Sequence, residues 1–397
     1  MKLTLRQQIT QFARILQTGL FQVLQAELGE LTGPAKRLIA TLEMIPLARF
    51  VPTNRGWVGR PSKDRLAIAS AFVAKAVYGF STTRQLLDAL DNDPQLRQIC
   101  GWKEACRIPH EATFSRAFGE FARMELPQFV HEALIQETQH NRLIGHIARD
   151  STAIEARERF PETTPQAVEE KASESSVARS KSVRKKGRRG PHKRWKGGQR
   201  QPARRESTRL HRQRTMSLPQ MLQDLPVDCS IGVKTSSHGY RHYWRGYKLH
   251  LDIADGQIPI SAVLTGARVH DSQVAIPLAT MTSRRVTYCY ELMDSAYDAQ
   301  EIREHSESMG HVVIIDPKNA GRKSQAEKLI LGQPIRQLSW AEADRYKERT
   351  MVERVNGRLK DEYGARTVRV RGATKVMAHL MFGVLALTVD QILKLAK

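Results

Sequence analysis

Cysteine is scarce in this chain and acid is short. Cys100, Cys106, Cys229 and Cys289 are the only thiols among 397 residues, and no two of them form a Cys-x-x-Cys pair. That excludes a disulfide-stapled scaffold and the ligand spacing of structural zinc. A reducing, cytoplasmic setting is the simplest expectation. Long apolar runs are missing too. The N-terminal MKLTLRQQITQFARILQTGL is amphipathic and broken by Arg and Gln, unlike a signal peptide. The most apolar stretch, Val376 to Ile392, is interrupted by His379, Gly383, Thr388 and Asp390. It falls short of the ~20 apolar residues of a membrane span, so it reads as a buried helix and no membrane partner is expected.

What is present in excess is positive charge. Against 41 Asp+Glu stand 63 Lys+Arg, a net +22. A protein this basic points to a polyanionic partner. Residues 179–214 hold sixteen Lys/Arg and one acid, Glu206, so a net +15 lies in 36 positions. Arg184, Lys185, Lys186, Arg188, Arg189, Arg194 and Lys196 form its densest part, with almost nothing aliphatic to bury. Such a segment cannot offset the entropy of ordering and is expected to be disordered when free. It reads either as a solvated linker or as an arm that binds phosphates, with Trp195 stacking or anchoring. The one-signed charge favours the arm.

Around the arm the chain divides into three parts. Residues 1–60 carry apolar helical patches (Ile9, Phe12, Ile15, Leu16; Leu38, Ile39, Leu42) and end in VPTNRGWVGRPS. Residues 61–142 read as a helical bundle, a candidate DNA-binding domain. Ser62 can cap a helix through Val77, Ser81 or Thr82 a second through Leu90, and Pro94 fits the first turn of a third. A fourth, His110 to Met124, sets Phe114, Phe118 and Phe121 on one face. A helix-turn-helix with Thr113, Ser115 and Arg116 toward the duplex and a plain bundle fit this pattern equally.

Residues 143–397 change character, interrupted by the basic insertion at about 156–228. LIGHIARDSTAIEA reads as a strand; RGYKLHLDIA and IPISAVLTGA flank an Asp255-Gly256 turn as a hairpin. A helix, a strand ending at Asp294, a helix, the strand HVVIID and a helix over about Ser339 to Glu362 follow, the last with Ser339 and Glu342 as a capping box. The order is β-β-β-α-β-α-β-α, an α/β class with a mixed sheet flanked by helices behind an all-α N-terminal region. Asp150 lies on the first strand and Asp294 at the end of a later one, where ligand crevices of open sheets form. On the final helix Tyr346, Arg349, Glu353, Asn356 and Lys360 make one polar stripe opposite Met351, Val352, Val355 and Leu359. The stripe can be simple intrahelical ion pairing. With Asp150 and Asp294, however, Glu353 supplies the three carboxylates that clamp two hard cations and a scissile phosphate.

These residues resemble the DDE transposases of bacterial insertion sequences, built on an RNase H-like fold. The signature Y-(2)-R-(3)-E-(6)-K of one subgroup, of insertion-sequence family four/five type, reads as Tyr346, Arg349, Glu353 and Lys360. Asp150-Ser151-Thr152 and Asp294-Ser295-Ala296-Tyr297 resemble the two Asp motifs, and TGARVHDS, with His270 and Asp271, the stretch between them. Residues 60–118 are similar to the family's helical N-terminal domain. Two departures stand out: Ala296 replaces a frequent Gly, and the 59 positions between Asp294 and Glu353 leave no room for the β-rich insertion of some relatives.

The resemblance implies metal-dependent cleavage at transposon ends and strand transfer into target DNA. Asp150, Asp294 and Glu353 would bind two Mg2+ (Mn2+ as substitute), and Tyr346, Arg349 and Lys360 would position the transposon strand. It further implies DNA and a second copy, in a synaptic homodimer, as partners, and a bacterial cytoplasm as the setting. A domesticated, non-catalytic DNA-binding protein and an RNase H-like nuclease without strand transfer are the competing expectations. Lone histidines such as His250 and His305 are assigned no ligand role.

Overall fold

A computed structural model describes residues 5–51, 64–140, 142–158, 208–235, 239–316 and 338–395. The basic cluster Arg184, Lys185, Lys186, Arg188, Arg189, Arg194 and Lys196, and with it Trp195, lies outside the described residues, as does Ser62.

The N-terminal region is helical: α1 (Leu5–Ile15), α2 (Phe21–Leu28), α3 (Gly33–Met44), α4 (Leu47–Phe50), α5 (Arg65–Val77), α6 (Thr83–Asn92), α7 (Pro94–Ile99), α8 (Glu111–Arg123) and α9 (Leu126–Gln139). Local chemistry sets their starts. Asp64 caps α5 by accepting from the amides of Leu66 and Ala67 at 2.9 and 3.2 Å. Thr82 and Gln85 make a reciprocal capping box on α6. Asp93 caps α7 just ahead of Pro94. Phe114, Phe118 and Phe121 of α8 are buried around Phe72 of α5.

The second half holds a six-stranded mixed sheet. Its strands are β1 (Leu143–Glu155), β2 (Ser230–Thr235), β3 (Arg241–Ala254), β4 (Ile258–Gly266), β5 (Thr287–Met293) and β6 (Val312–Ile315). They run in the order β2-β3-β1-β5-β6, with β4 on the C-terminal half of β3. β1 is antiparallel to β3 and parallel to β5, and β5 is parallel to β6. The turn from β3 to β4 is Asp255-Gly256-Gln257, with positive φ at Gly256 (85°) and Gln257 (62°). The Asp255 carboxylate accepts from the backbone of Gly145 and His146, tying this turn to the start of β1.

The flanking helices are α10 (Arg209–Gln213), α11 (Leu218–Gln223), α12 (Ser272–Arg285), α13 (Gln300–Ser308), α14 (Trp340–Tyr346), α15 (Thr350–Asp361) and α16 (Ala373–Lys394). α16 is apolar all round, and such a helix belongs inside a protein. It is the one described helix long and apolar enough to cross a membrane, yet most of it is buried, packed against α5, α8, α9 and β4. One contiguous core therefore joins the helical layer to the sheet.

Three features differ from the sequence reading. Residues 208–228, counted in the unstructured insertion, carry α10 and α11, because Arg209 and Arg212 bond Asp224 and Gln213 reaches the Gln273 carbonyl on α12. Local acids satisfy this end of the basic run without a polyanion. The strand β2 is additional: Gly232 interrupts its apolar alternation, because the Trp244 ring lies against it. The final helix is not continuous either. A 3-10 turn, Lys347–Arg349, separates α14 from α15.

Candidate active site

Two acids are set by strand register. Ala148 of β1 pairs with Leu292 of β5 in parallel. Asp150 and Asp294 each lie two residues beyond that pair, so the two-residue period of a strand turns both to the same face. Asp294 ends its strand as a cap, accepting at 2.8 Å from the Ala296 amide in the 3-10 turn Ser295–Tyr297.

The third acid arrives on α15. Met351, Val352, Val355 and Leu359 are buried beneath this helix, which packs on β1 and β3. Its opposite side carries Glu353, whose side chain is 55% exposed. Arg349 bridges the group: Nη2 donates to Glu353 Oε1 at 2.9 Å, and Nη1 lies 3.7 Å from Asp150 Oδ2. The Arg349 guanidinium also faces the Tyr346 ring at 5.7 Å. Burial pushes the Tyr346 hydroxyl up to about 12, helped by Asp316, Asp294 and Asp150.

Asp150, Asp294, Tyr346, Arg349 and Glu353 thus share one neighbourhood. Lys360 does not. Seven residues on, about 10 Å along the helix, it is half-buried and held down by burial first, then by Arg366 and Lys234, with Glu155 opposing. Among the described residues no three His, Cys, Asp or Glu side chains stand close enough together to hold a metal ion. Glu353 reaches Asp150 through the guanidinium rather than directly.

The electrostatics still fit a hard cation. Burial, with Asp294 and Asp271 beside it, raises the Asp150 carboxyl to about 6, against the pull of the Ser151 amide and Arg349. An all-oxygen donor set carrying uncompensated negative charge suits Mg2+ better than a soft metal. Sequence reasoning gave Lys248 no role. Its Nζ donates to Asp271 Oδ1 at 2.9 Å, and the Ser151 hydroxyl donates to the same oxygen at 3.0 Å. Lys248 alternates with apolar neighbours on β3, a signal no different from any exposed strand position. His250 is a core residue, its Nε2 2.9 Å from Thr265 Oγ1.

The raised carboxyl has a measurable consequence. The folded value of about 6 lies above the unfolded ~3.9, so the folded state binds the extra proton between them. This contribution to stability is full below pH ~4 and lost as pH rises through 6. In EDTA at pH 7.5, Asp150→Asn is expected to stabilise the protein by on the order of 1–3 kcal/mol. Thermal melts at pH 7.5 and 4.5 check this: the gain should shrink to roughly a third at the lower pH, and a gain equal at both would contradict it.

A parallel and antiparallel five-plus-one sheet with acids at the centre of β1 and the end of β5 defines an RNase H-like nucleic-acid-processing domain. Residues 144–389 match the family described as the transposase DDE domain, and residues 29–120 match a second family described as a transposase domain. The first match covers more than half of the chain, which belongs to the DDE transposases, of insertion-sequence family four/five type. No curated protein and no solved structure gives a significant match. As a transposase, the chain acts on DNA.

Proposed function

We propose that this transposase cuts DNA at transposon ends and joins the cut ends to target DNA, with Asp150, Asp294 and Glu353 as its catalytic acids. The observation that carries the reading is the matched position of Asp150 and Asp294 on adjacent parallel strands, with Glu353 tied to Asp150 through Arg349. Asp150 and Asp294 would hold Mg2+, or Mn2+ in its place, and Glu353 would complete a two-ion site on leaving Arg349. Bound there, the ions supply Lewis-acid stabilisation of phosphoryl transfer. The chain's own contribution is positioning: Arg349 is freed toward a phosphate, and Tyr346 and Lys360 flank the strand. We further propose a homodimer that synapses two ends, in a bacterial cytoplasm, with residues 61–142 reading end sequence and 143–397 carrying the chemistry.

The test incubates the full-length protein with linear DNA spanning the coding region and its flanks, in Mg2+, Mn2+ or EDTA. Excised and joined products are expected with either metal and none in EDTA. Cutting without joining would make the protein a nuclease, and binding without cutting a non-catalytic DNA-binding protein.

The arm has its own role in this reading. Deleting residues 179–205, short of α10, is expected to weaken binding to every DNA tested. The slope of log K against log salt should flatten by several units, at about 0.9 for each phosphate that the arm no longer neutralises. An unchanged slope in anisotropy titrations would reject the role.

A further inference from the structure

We propose that the ribbon formed by β2 and the first half of β3 is a second DNA-contacting surface, gripping the strand that leaves the candidate active site past Lys360. The proposal rests on the reading of the chain as a DNA-cutting enzyme and adds a binding site to it.

The ribbon continues from the end of β1. Pairing of β1 with β3 stops at Glu155↔Gly246, while β3 extends back to Arg241 against β2. Asp150 pairs with Leu251, so ten residues of β3 separate the acid from Arg241. At ~3.3 Å per residue that is about 33 Å, the rise of roughly ten stacked nucleotides. Lys360 and Lys234 are close enough to repel each other, which links the signature lysine to the ribbon. By strand alternation Arg245, Tyr243 and Arg241 share the face of Leu251, and so of its partner Asp150, whereas Lys234 turns to the opposite face of the edge strand; Arg245 and Arg241 therefore succeed one another along the face of the acids.

The ribbon's two faces differ. On one, the Trp244 ring covers Gly232 so closely that a Cβ there would fall 2.3 Å from it, and Trp244 Nε1 donates to the Tyr247 carbonyl. This face holds the ribbon flat. The pairs Ile231↔Arg245 and Val233↔Tyr243 lie on the other, where Ile231, Val233 and Tyr243 are 49%, 49% and 58% exposed. Exposed apolar groups gathered in this way mark an interaction surface.

Charge identifies the occupant. From Ser230 to Tyr247 the sequence has Lys234, Arg241 and Arg245 and no acid. A second copy docked ribbon to ribbon would set these cations against their own kind, whereas DNA offers phosphates to the cations and base faces to Tyr243.

The test measures anisotropy of full-length protein with a fluorescein-labelled, random-sequence 30-base-pair duplex across a KCl series. Tyr243→Ala and Arg241→Glu are each expected to raise Kd about five- to tenfold. Arg241→Glu should also reduce the salt slope by about one, and Tyr243→Trp should bind as the parent does. Unchanged Kd and slope in variants with parental melting curves would overturn the proposal. So would a changed sedimentation coefficient with unchanged Kd, which would mark a self-interface instead. Photocrosslinking of the unaltered protein to iododeoxyuridine-substituted duplex avoids any folding defect: adducts are expected within residues 230–245, and their absence would overturn the site. If the parent protein binds no duplex at all, the transposase reading fails first; if it binds and only the ribbon variants are silent, that reading survives.

Discussion

Full-length protein carrying Asp294→Asn is expected to lose DNA cleavage and joining in Mg2+ by a factor of about 10³ or more, while binding duplex DNA as the parent does. The carboxylate is the group at stake. Asn keeps the shape and can still accept the Ala296 amide bond that caps the 3-10 turn, so the strand end should hold. It loses the charge that a divalent cation requires, and metal-assisted phosphoryl transfer depends on that charge. Asp150→Asn and Glu353→Gln should behave alike, because ligands that act as a unit are not additive. Glu353→Gln carries extra information: Gln bonds Arg349 less strongly than Glu does, so the guanidinium should sit closer to Asp150. Gel assays of cleavage and anisotropy of binding, run on the same preparations, separate chemistry from affinity. Any one of the three variants cutting at a tenth of the parental rate would remove that acid from the catalytic set.

Much of the fold was legible from residue patterns. Capping signals at Thr82–Gln85 and Ser339–Glu342 mark true helix starts, because they are local and depend on three or four residues. The alternation of β3 and β4 about Asp255-Gly256 gives the hairpin for the same reason. The break at Lys347–Arg349 was not legible, since the polar stripe has helical spacing on both sides of it. β2 was hidden because its Gly232 makes sense only against Trp244, twelve positions away. At the site, the signature placed Tyr346, Arg349 and Glu353 on one stripe. Only the β1–β5 register brings Asp150 beside Asp294 across 144 positions. The role of Arg349 as the link between Asp150 and Glu353 depends on where α15 docks, which no spacing rule encodes.

Arg149→Met is expected to destabilise the protein by about 3–5 kcal/mol. Arg149 neighbours Asp150 but points through the opposite face of β1, where it is fully buried. Its Nε and Nη2 donate to the two oxygens of Asp252 at 2.7 and 2.8 Å, and Nη1 donates to Glu291 at 3.1 Å. Thr282 adds a hydrogen bond to Asp252; Tyr288 and Ser306 each add one to Glu291. Burial alone would lower the guanidinium, but the two acids more than offset it. Between the acids the balance differs: Arg149 holds Glu291 well below the usual range, whereas burial outweighs it at Asp252. Methionine fills the space and leaves two buried carboxyls without their cation, so at neutral pH at least one must take up a proton or carry an unpaired charge. The penalty should therefore shrink as pH falls toward 4, where both carboxyls can be neutral. Urea melts at pH 7.5 and 4.5 measure it, and a loss below 1 kcal/mol at pH 7.5 would show that the network contributes little. Because Arg149 clamps β3 and β5 to β1 one residue before Asp150, the surviving folded fraction should also lose activity, whereas Arg149→Met combined with Asp252→Leu and Glu291→Leu should recover stability more fully than activity.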